Sequence, residues 1–325
     1  MATAFTTGDF IATTTSTSAE AGAYVPEIWS NEIIAPYKAN RVLAELVTNW
    51  NFKGQKGDTL NIPTFVRGSA NAKAQESVVT PNVTNSTLTT VSIDKHIEYT
   101  VLIEKFAETQ AMASMRKAYV DDAGYAIARK IDWDLHLLGR SAPSGSVAVG
   151  GNVTGTDYGD AVIGSNGSTT WSPTANANAG NAAALTDAGI RRMLRTMDDN
   201  NVPQSDRALV IPPVEKESLL AIARFTEQAF LGNGQAISTG MIGNLYNTPV
   251  HVTSNCPYVL DGASSNDQRA GLLLHKGAWV LVTQLGIEAV TAFLSEFLAT
   301  QLTWHTIYGL KEVRATSVIP FIVPG

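Results

Sequence analysis

The sequence predicts an α+β fold of about two units, and three observations carry that expectation. A stretch of two-residue alternation over 91–103 runs directly into a stretch of helical period over 104–140. An earlier strand signal at Leu60 and Ile62, before Pro63, makes the alternating stretch the return arm of an extended hairpin. From residue 185 onward, helix and strand signals take turns in a second α/β unit.

In chain order, residues 1–23 are small and polar, with Thr and Ser crowded between Thr13 and Ser18. Such a segment has too little apolar surface to order itself alone. It reads as an arm that becomes ordered against a partner. Tyr24, Val25, Ile28 and Trp29 are the first apolar anchors. A short helical stretch follows through Ile33 and Ile34, interrupted at Pro36 and Tyr37. Asn40 then caps a turn carrying Val42, Leu43, Leu46 and Val47.

Residues 50–103 form the hairpin. Its first arm holds Leu60 and Ile62 before Pro63, entered through the turn signal Lys56-Gly57-Asp58. In the return arm Val91, Ile93, Ile97, Tyr99, Val101 and Ile103 take odd positions, and Thr90, Ser92, Asp94, His96, Glu98 and Thr100 even ones. Lys95 is the one break on the apolar face. The long polar loop between the arms lacks a local core, and an isolated hairpin is marginal in water. This one needs something beyond its own domain to lie on.

Residues 104–140 contain no proline, and Met115, Tyr119, Ala123, Ala126, Ile127, Ile131, Leu135 and Leu138 recur at helical spacing. As one helix they would run about 55 Å; a break near Gly124 into two helices is the alternative. Residues 141–184 are rich in Gly, Ser, Asn and Thr, with only Asp157 and Asp160 charged. They are expected as a surface excursion with little regular structure beyond short strands. A helix over Thr186–Asn200 follows, capped by Thr186, with Ile190, Met193, Leu194 and Met197 on one face. Arg207–Ile211 reads as a buried strand, Val214–Phe225 as a helix, and Val250–Thr253 as a strand. Leu272–Leu274 and Trp279–Val282 are apolar runs, and Trp304, Ile307, Leu310, Val313, Val318, Ile319 and Phe321 mark closing strands.

Bulk composition narrows the function. Apolar residues make up 44% of 325 and charged residues 16%, below the roughly 25% of an ordinary soluble domain. Low charge density fits a protein that hides its surface against other copies. A net charge of −6 argues against gripping nucleic acid through a broad basic face, though a container need not grip its contents. The lone cysteine, Cys256 between Asn255 and Pro257, makes no intrachain disulfide and reads as a free thiol in a turn. The opening MATAFTTGDF lacks a basic region followed by an apolar core, so no signal peptide is expected, and no apolar run is long enough to span a membrane. The glycosylation patterns at Asn82 and Asn85 are therefore read as chance.

The search for chemistry finds little. The five histidines stand at 96, 136, 251, 275 and 305, none spaced as a helical metal pair. Asp132, Asp134 and His136 alternate within the presumed helix and point to different faces, which reads as a solvated helix end. Gly232-Asn233-Gly234 lacks the third glycine of a dinucleotide fingerprint, with Ile237 in its place. The pairs Asp121-Asp122 and Asp198-Asp199 read as solvated charge. No catalytic residue, cofactor site or metal ligand is nominated, and an enzyme is not expected.

Several stretches share the wording of one family. VPEIWSNEI (25–33) followed by NRVLAELV (40–47) resembles the start of tailed-phage major capsid proteins with the Hong Kong 97-type fold. KGDTLNIPTF (56–65) is similar to the first arm of that family's extended loop. IDKHIEYTVLIEKFAETQA (93–111) is similar to its return strand entering the spine helix. LRTMDDNNVPQSDRALVIPPVEKESLL (194–220) and STGMIGNLYNTPVHVTSNCP (238–257) resemble parts of its axial domain. The likeness covers roughly 24–140 and 185–325.

The resemblance implies an L-shaped subunit. Its parts would be an N-terminal arm with first short helices (1–49), an extended hairpin loop (50–103), and a peripheral domain with spine helix and Gly/Ser/Asn-rich excursion (104–184). An axial domain (185–300) and C-terminal strands returning to the peripheral domain (301–325) would complete it. It implies self-assembly into hexamers and pentamers of an icosahedral head around double-stranded DNA, with scaffold and portal proteins and a decoration protein as further partners, and no cofactor or membrane. Assembly would take place in the host bacterial cytoplasm, and the product would be the virion capsid. Tyr24, Trp29, Arg67, Lys73 and Glu76 are the residues expected at contacts between subunits. The main rival is an encapsulin-like compartment subunit of the same fold, which would load a cargo enzyme. A surface adhesin and an enzyme with a dispersed site are the others.

Overall fold

The computed structural model describes residues 41–54, 56–65, 68–79, 81, 86–104, 115–140, 148–150, 153–178, 180–222, 243–260 and 268–325. The expected arm, Asn40, the glycosylation patterns and Gly232–Gly234 lie outside the described residues.

After a single helical turn α1 (Leu43–Leu46), strand β1 (Thr48–Asn51) leads to the hairpin strands β2 (Thr59–Phe65) and β3 (Ser86–Ser92). These two pair antiparallel from Thr59↔Ser92 to Phe65↔Ser86 and form a sheet of their own. Strand β4 (Lys95–Glu104) follows. The return arm read from the sequence as one strand is thus two strands in two sheets, divided at Ile93-Asp94. Alternation continues across the step because it records which side of the chain is apolar, not which strand lies beside it. Val91 and Ile93 pack with Val280 and Val282, whereas Tyr99, Val101 and Ile103 pack with Leu302 and Trp304. Lys95, the break in the pattern, sits opposite Tyr308 and brings its Nζ within 3.9 Å of the buried Asp134 carboxylate.

The spine helix α2 covers Met115–Leu137 and runs through Gly124 without a break, so the two-helix alternative is not the one adopted there. Glu104, expected in the helix, ends β4 instead, and 105–114 lie outside the described residues. At its C-terminal end Gly139 packs closely on Leu272, since a Cβ there would stand 2.7 Å from Leu272 Cδ2 and displace that side chain. The expected solvated end is a buried one. Asp132, Asp134 and His136 are all buried, because α2 is enclosed on several sides rather than lying on a surface.

Residues 141–184 also depart from expectation. Strands β5 (Val153–Thr154) and β6 (Val162–Ile163) and the short helix α3 (Ala175–Asn178) are as brief as expected. However, Tyr158, Ala161 and Trp171 are buried with Trp133 and Leu137 of α2 and with Val259 and Ile322. The sparse aromatics of this segment fill a core, so its polar composition did not describe its position.

Helix α4 (Asp187–Asp199) begins at Thr186, whose Oγ1 accepts from Gly189 N at 3.1 Å. Ile190, Met193 and Met197 point inward as expected. Strand β7 (Arg207–Ile211) is buried throughout, and helix α5 (Pro213–Leu220) follows. Strands β8 (Asn244–Leu245), β9 (Thr248–Val252), β10 (Tyr258–Leu260) and β11 (Gln268–His275) continue the chain. The long strands β12 (Trp279–Leu294) and β13 (Ala299–Glu312) precede β14 (Val318–Pro324).

Two larger sheets result. One has the order β1-β12-β13-β4, with α2 packed on one face through Ala123 and Ile127. The other is eight-stranded, with the order β5-β10-β11-β7-β9-β8 and with β14 pairing β11 and β6. The closing strands therefore separate: β13 joins the first sheet and β14 the second. A core of Leu43, Leu135, Val210, Leu272, Leu274, Trp279 and Tyr308 joins the two sheets through α1 and α2. Cys256 is buried in this core, not exposed in its turn.

Candidate self-assembly surfaces

The hairpin stands on a narrow base. Leu60, Ile62 and Val91 pack against Val280, Val282 and Val313, and Gln284 Nε2 donates to Gly57 O at 2.9 Å. Beyond this base both strands face solvent, and Phe65 is 81% and Leu88 63% exposed. Farther out, Val78 is 89% and Val79 69% exposed. Two-stranded structures with so little of their own core gain stability from what they lie against. A cleft of about 460 Å³ opens between the hairpin and the four-stranded sheet, lined by Trp50, Pro63, Phe65, Val280, Val313 and Arg314 among others.

Of the five residues expected at contacts, Lys73 and Glu76 lie on this distal loop and are exposed. Glu76 takes a left-handed conformation (φ 62°) in the turn where Ser77 N donates to Ala74 O. Tyr24, Trp29 and Arg67 lie outside the described residues.

A second surface lies along the outer edge of β12. Beyond Thr283, the outer edge of β12 carries no partner strand among the described residues, because β1 pairs only with Val280–Thr283. The edge-side stretch Ile287–Phe293 is exposed, including Ile287, Val290 and Phe293, and so are Phe297 and Leu298 in the turn to β13 and Leu102 on β4. Free edges with apolar side chains invite pairing with another chain, and contiguous exposed apolar surface marks an interaction site. The signal was available: the apolar run that starts at Trp279 continues past Val282 to Leu298 with few charges.

Among the described residues, several titratable groups with displaced pKa values are deeply buried. Burial lowers His136 to about 4, only partly offset by Asp132. Burial also pushes the Tyr158 hydroxyl and Cys256 thiol upward. All three lie inside cores. The open cleft near α4, about 280 Å³, holds Arg191, Arg195 and Arg207, but Arg207 pairs with Asp198 at 2.6 Å and Arg191 with Asp187 at 3.0 Å.

The buried carboxylates instead fix the framework. Asp132 Oδ1 accepts from Val42 N (3.2 Å) and Leu43 N (2.8 Å), the unsatisfied donors at the start of α1, and Oδ2 accepts from Asn255 Nδ2 at 2.9 Å. Asp134 accepts from Tyr308 Oη at 2.8 Å and Lys130 Nζ at 2.8 Å. The first ties α2 to the β9–β10 loop and the second ties it to β13.

A spine helix beside a four-stranded sheet, an outstanding hairpin and a separate α/β sheet make the Hong Kong 97-type fold, the architecture of a capsid subunit. The capsid structure of cyanophage P-SCSP1u matches with a TM-score of 0.69 at 17% identity, covering 93% of this chain and 94% of that one. A chain of Mycobacterium phage Che8 matches at 0.67 and 20% identity, covering 92% and 97%. The capsid of Ralstonia phage GP4 matches at 0.67 and 16% identity, covering 93% and 96%. No functionally curated protein is similar in sequence. The phage capsid protein family model matches residues 38–246, and the chain belongs to that family. It is a structural subunit of a bacteriophage virion, a major capsid protein.

Proposed function

We propose that this subunit closes into five- and six-membered rings that build an icosahedral shell around double-stranded DNA, and that it carries out no catalysis. The observation that carries the reading is the β2–β3 hairpin, anchored at its base and exposing Phe65, Leu88, Val78 and Val79 beyond it. Contacts that repeat around a closing rotation generate rings, and an element without a core of its own gains one from a neighbour in such a ring. In this reading Lys73, Glu76 and Arg67 of the hairpin, and Tyr24 and Trp29 of the arm, meet a neighbouring subunit. Residues 1–49, 50–103, 104–184, 185–300 and 301–325 act as arm, extended loop, peripheral domain, axial domain and closing strands. A scaffold, a portal and a decoration protein are the proposed further partners, and assembly takes place in the host cytoplasm before DNA enters.

Negative-stain electron microscopy of purified protein, alone and with the scaffold co-expressed, tests this. Closed shells or five- and six-membered rings are expected, and deletion of residues 68–84 should abolish them while the subunit stays folded. Normal shells from the deletion would refute the role of the hairpin. Shells that fill with a protein cargo and never with DNA would turn the reading to a compartment.

A further inference from the structure

Spacing along the chain offers no histidine pair, but the four-stranded sheet makes one. His96 on β4 and His305 on β13 bring Nε2 and Nδ1 to 3.4 Å from each other. Their rings stand 75° apart in plane, with centroids 5.4 Å apart. Both project from the face of the sheet opposite α2, since their neighbours Ile97, Tyr99 and Trp304 take the helix side. The register surrounds them with carboxylates. His305 lies directly opposite Glu98 on β4 and Glu288 on β12, so Glu288, His305 and Glu98 form one row across three strands. His96 is two residues from Glu98 and shares its face.

We propose that His96 and His305, completed by Glu98 or Glu288, bind a divalent transition-metal ion of the zinc class. Two imidazole nitrogens on a tetrahedral zinc, each at about 2.0–2.1 Å, stand roughly 3.4 Å apart, and this pair already has that separation. As a direct hydrogen bond the contact is long, beyond the usual range of about 2.7–3.2 Å. Two lone pairs converging on one ion use the spacing better than one shared proton does. The ladder between β4 and β13 runs without a shift from Lys95↔Tyr308 to Glu104↔Ala299, so the backbone under both rings is held in place.

The third ligand is within reach. Directly opposed side chains start from Cβ atoms about 4.5–5.5 Å apart, a gap a glutamate spans. Glu98 at present accepts from Thr100 Oγ1 at 2.8 Å. Turning toward His305 exchanges that exposed hydrogen bond for a metal bond. Among the described residues no three such ligands converge as they stand; the site is built at two positions and closed by one rotation. Imidazole with carboxylate and an open position for water favours zinc or its late first-row neighbours over calcium or magnesium. The bound ion would staple two strands that are far apart in sequence, beside the free edge of β12.

The test uses tag-free, metal-stripped full-length protein titrated with Zn²⁺ in a calorimeter, with Co²⁺ absorption as the report on imidazole coordination. Saturable binding of one ion per chain is expected. His96→Ala and His305→Ala should each weaken it at least tenfold, and Glu98→Gln together with Glu288→Gln by a smaller factor. Zn²⁺ should raise the melting temperature of the parent and leave the His96→Ala/His305→Ala double variant unchanged. Both histidines are on the solvent side of the sheet, so the metal-free variants should melt with the parent. Absence of saturable binding at millimolar Zn²⁺ would overturn the proposal. So would binding that persists undiminished in the double variant.

Discussion

Replacing Asp132 should cost this protein more than any single surface change. The side chain is fully buried and satisfies three donors: Val42 N, Leu43 N and Asn255 Nδ2. In Asp132→Ala the two backbone N–H groups keep no acceptor, and each buried donor left unpaired costs about 1–3 kcal/mol. Asn255 still holds Arg129, whose Nε donates to Asn255 Oδ1 at 3.3 Å, so its amide is not free to turn and recover. For the two N–H groups the loss comes to about 2–6 kcal/mol, a large part of the roughly 5–15 kcal/mol that holds a domain together. Asp132→Asn keeps an oxygen for the two N–H groups but sets one NH₂ against another at Asn255. It should cost about 1–2 kcal/mol. The assay is urea unfolding of dissociated subunits at neutral pH, with hydrogen exchange at Val42 and Leu43 as a local report. Exchange there should accelerate in both variants. If Asp132→Ala unfolds within about 1 kcal/mol of the parent, the carboxylate is not what joins α1 and the β9–β10 loop to α2.

Acid should weaken the subunit through His136. Its folded pKa of about 4 lies below the ordinary 6.5 because of burial, so the folded state binds fewer protons than the unfolded chain between these values. Stability is therefore full above pH 6.5 and falls as pH drops toward 4, by roughly 3 kcal/mol. Urea midpoints in this window should flatten in His136→Gln relative to the parent, and parallel curves would exclude the effect. His251 and His275 are also lowered by burial, but they contribute equally to both proteins. Gly309→Ala should loosen the hairpin base, because a Cβ there would stand 2.3 Å from Ser92 O and 3.0 Å from Ile93 Cα. A loss of about 1–3 kcal/mol and poorer shell formation in electron micrographs are expected, and an unchanged variant would contradict the close crossing of β13 and β3. Thr186→Ala removes the cap on Gly189 N and should lower stability by about 1 kcal/mol, read from thermal melts; no change would mean that solvent replaces the cap.

Local chemistry made much of the fold legible. The cap at Thr186, the inward row Ile190, Met193 and Met197, and the buried strand Arg207–Ile211 follow from propensity and period, which act over a few residues. The hairpin could be read for the same reason. The family wording extended this reach to the fold class as a whole.

Tertiary structure decided what period cannot express. Alternation across 91–103 is continuous, yet Ile93-Asp94 hands the chain from one sheet to another, because pattern fixes the apolar side of a strand and not its neighbour. Asp132, Asp134 and His136 looked like a wet helix end; only the packing of α1, β13 and the β9–β10 loop around α2 buries them. Tyr158 and Trp171 sit in a polar stretch and still form a core, since burial depends on what surrounds a side chain and not on the mean composition of its segment. The meeting of His96 with His305 has no signature in sequence at all. It arises from strand register across 209 residues, a non-local quantity that exists only once the sheet has formed.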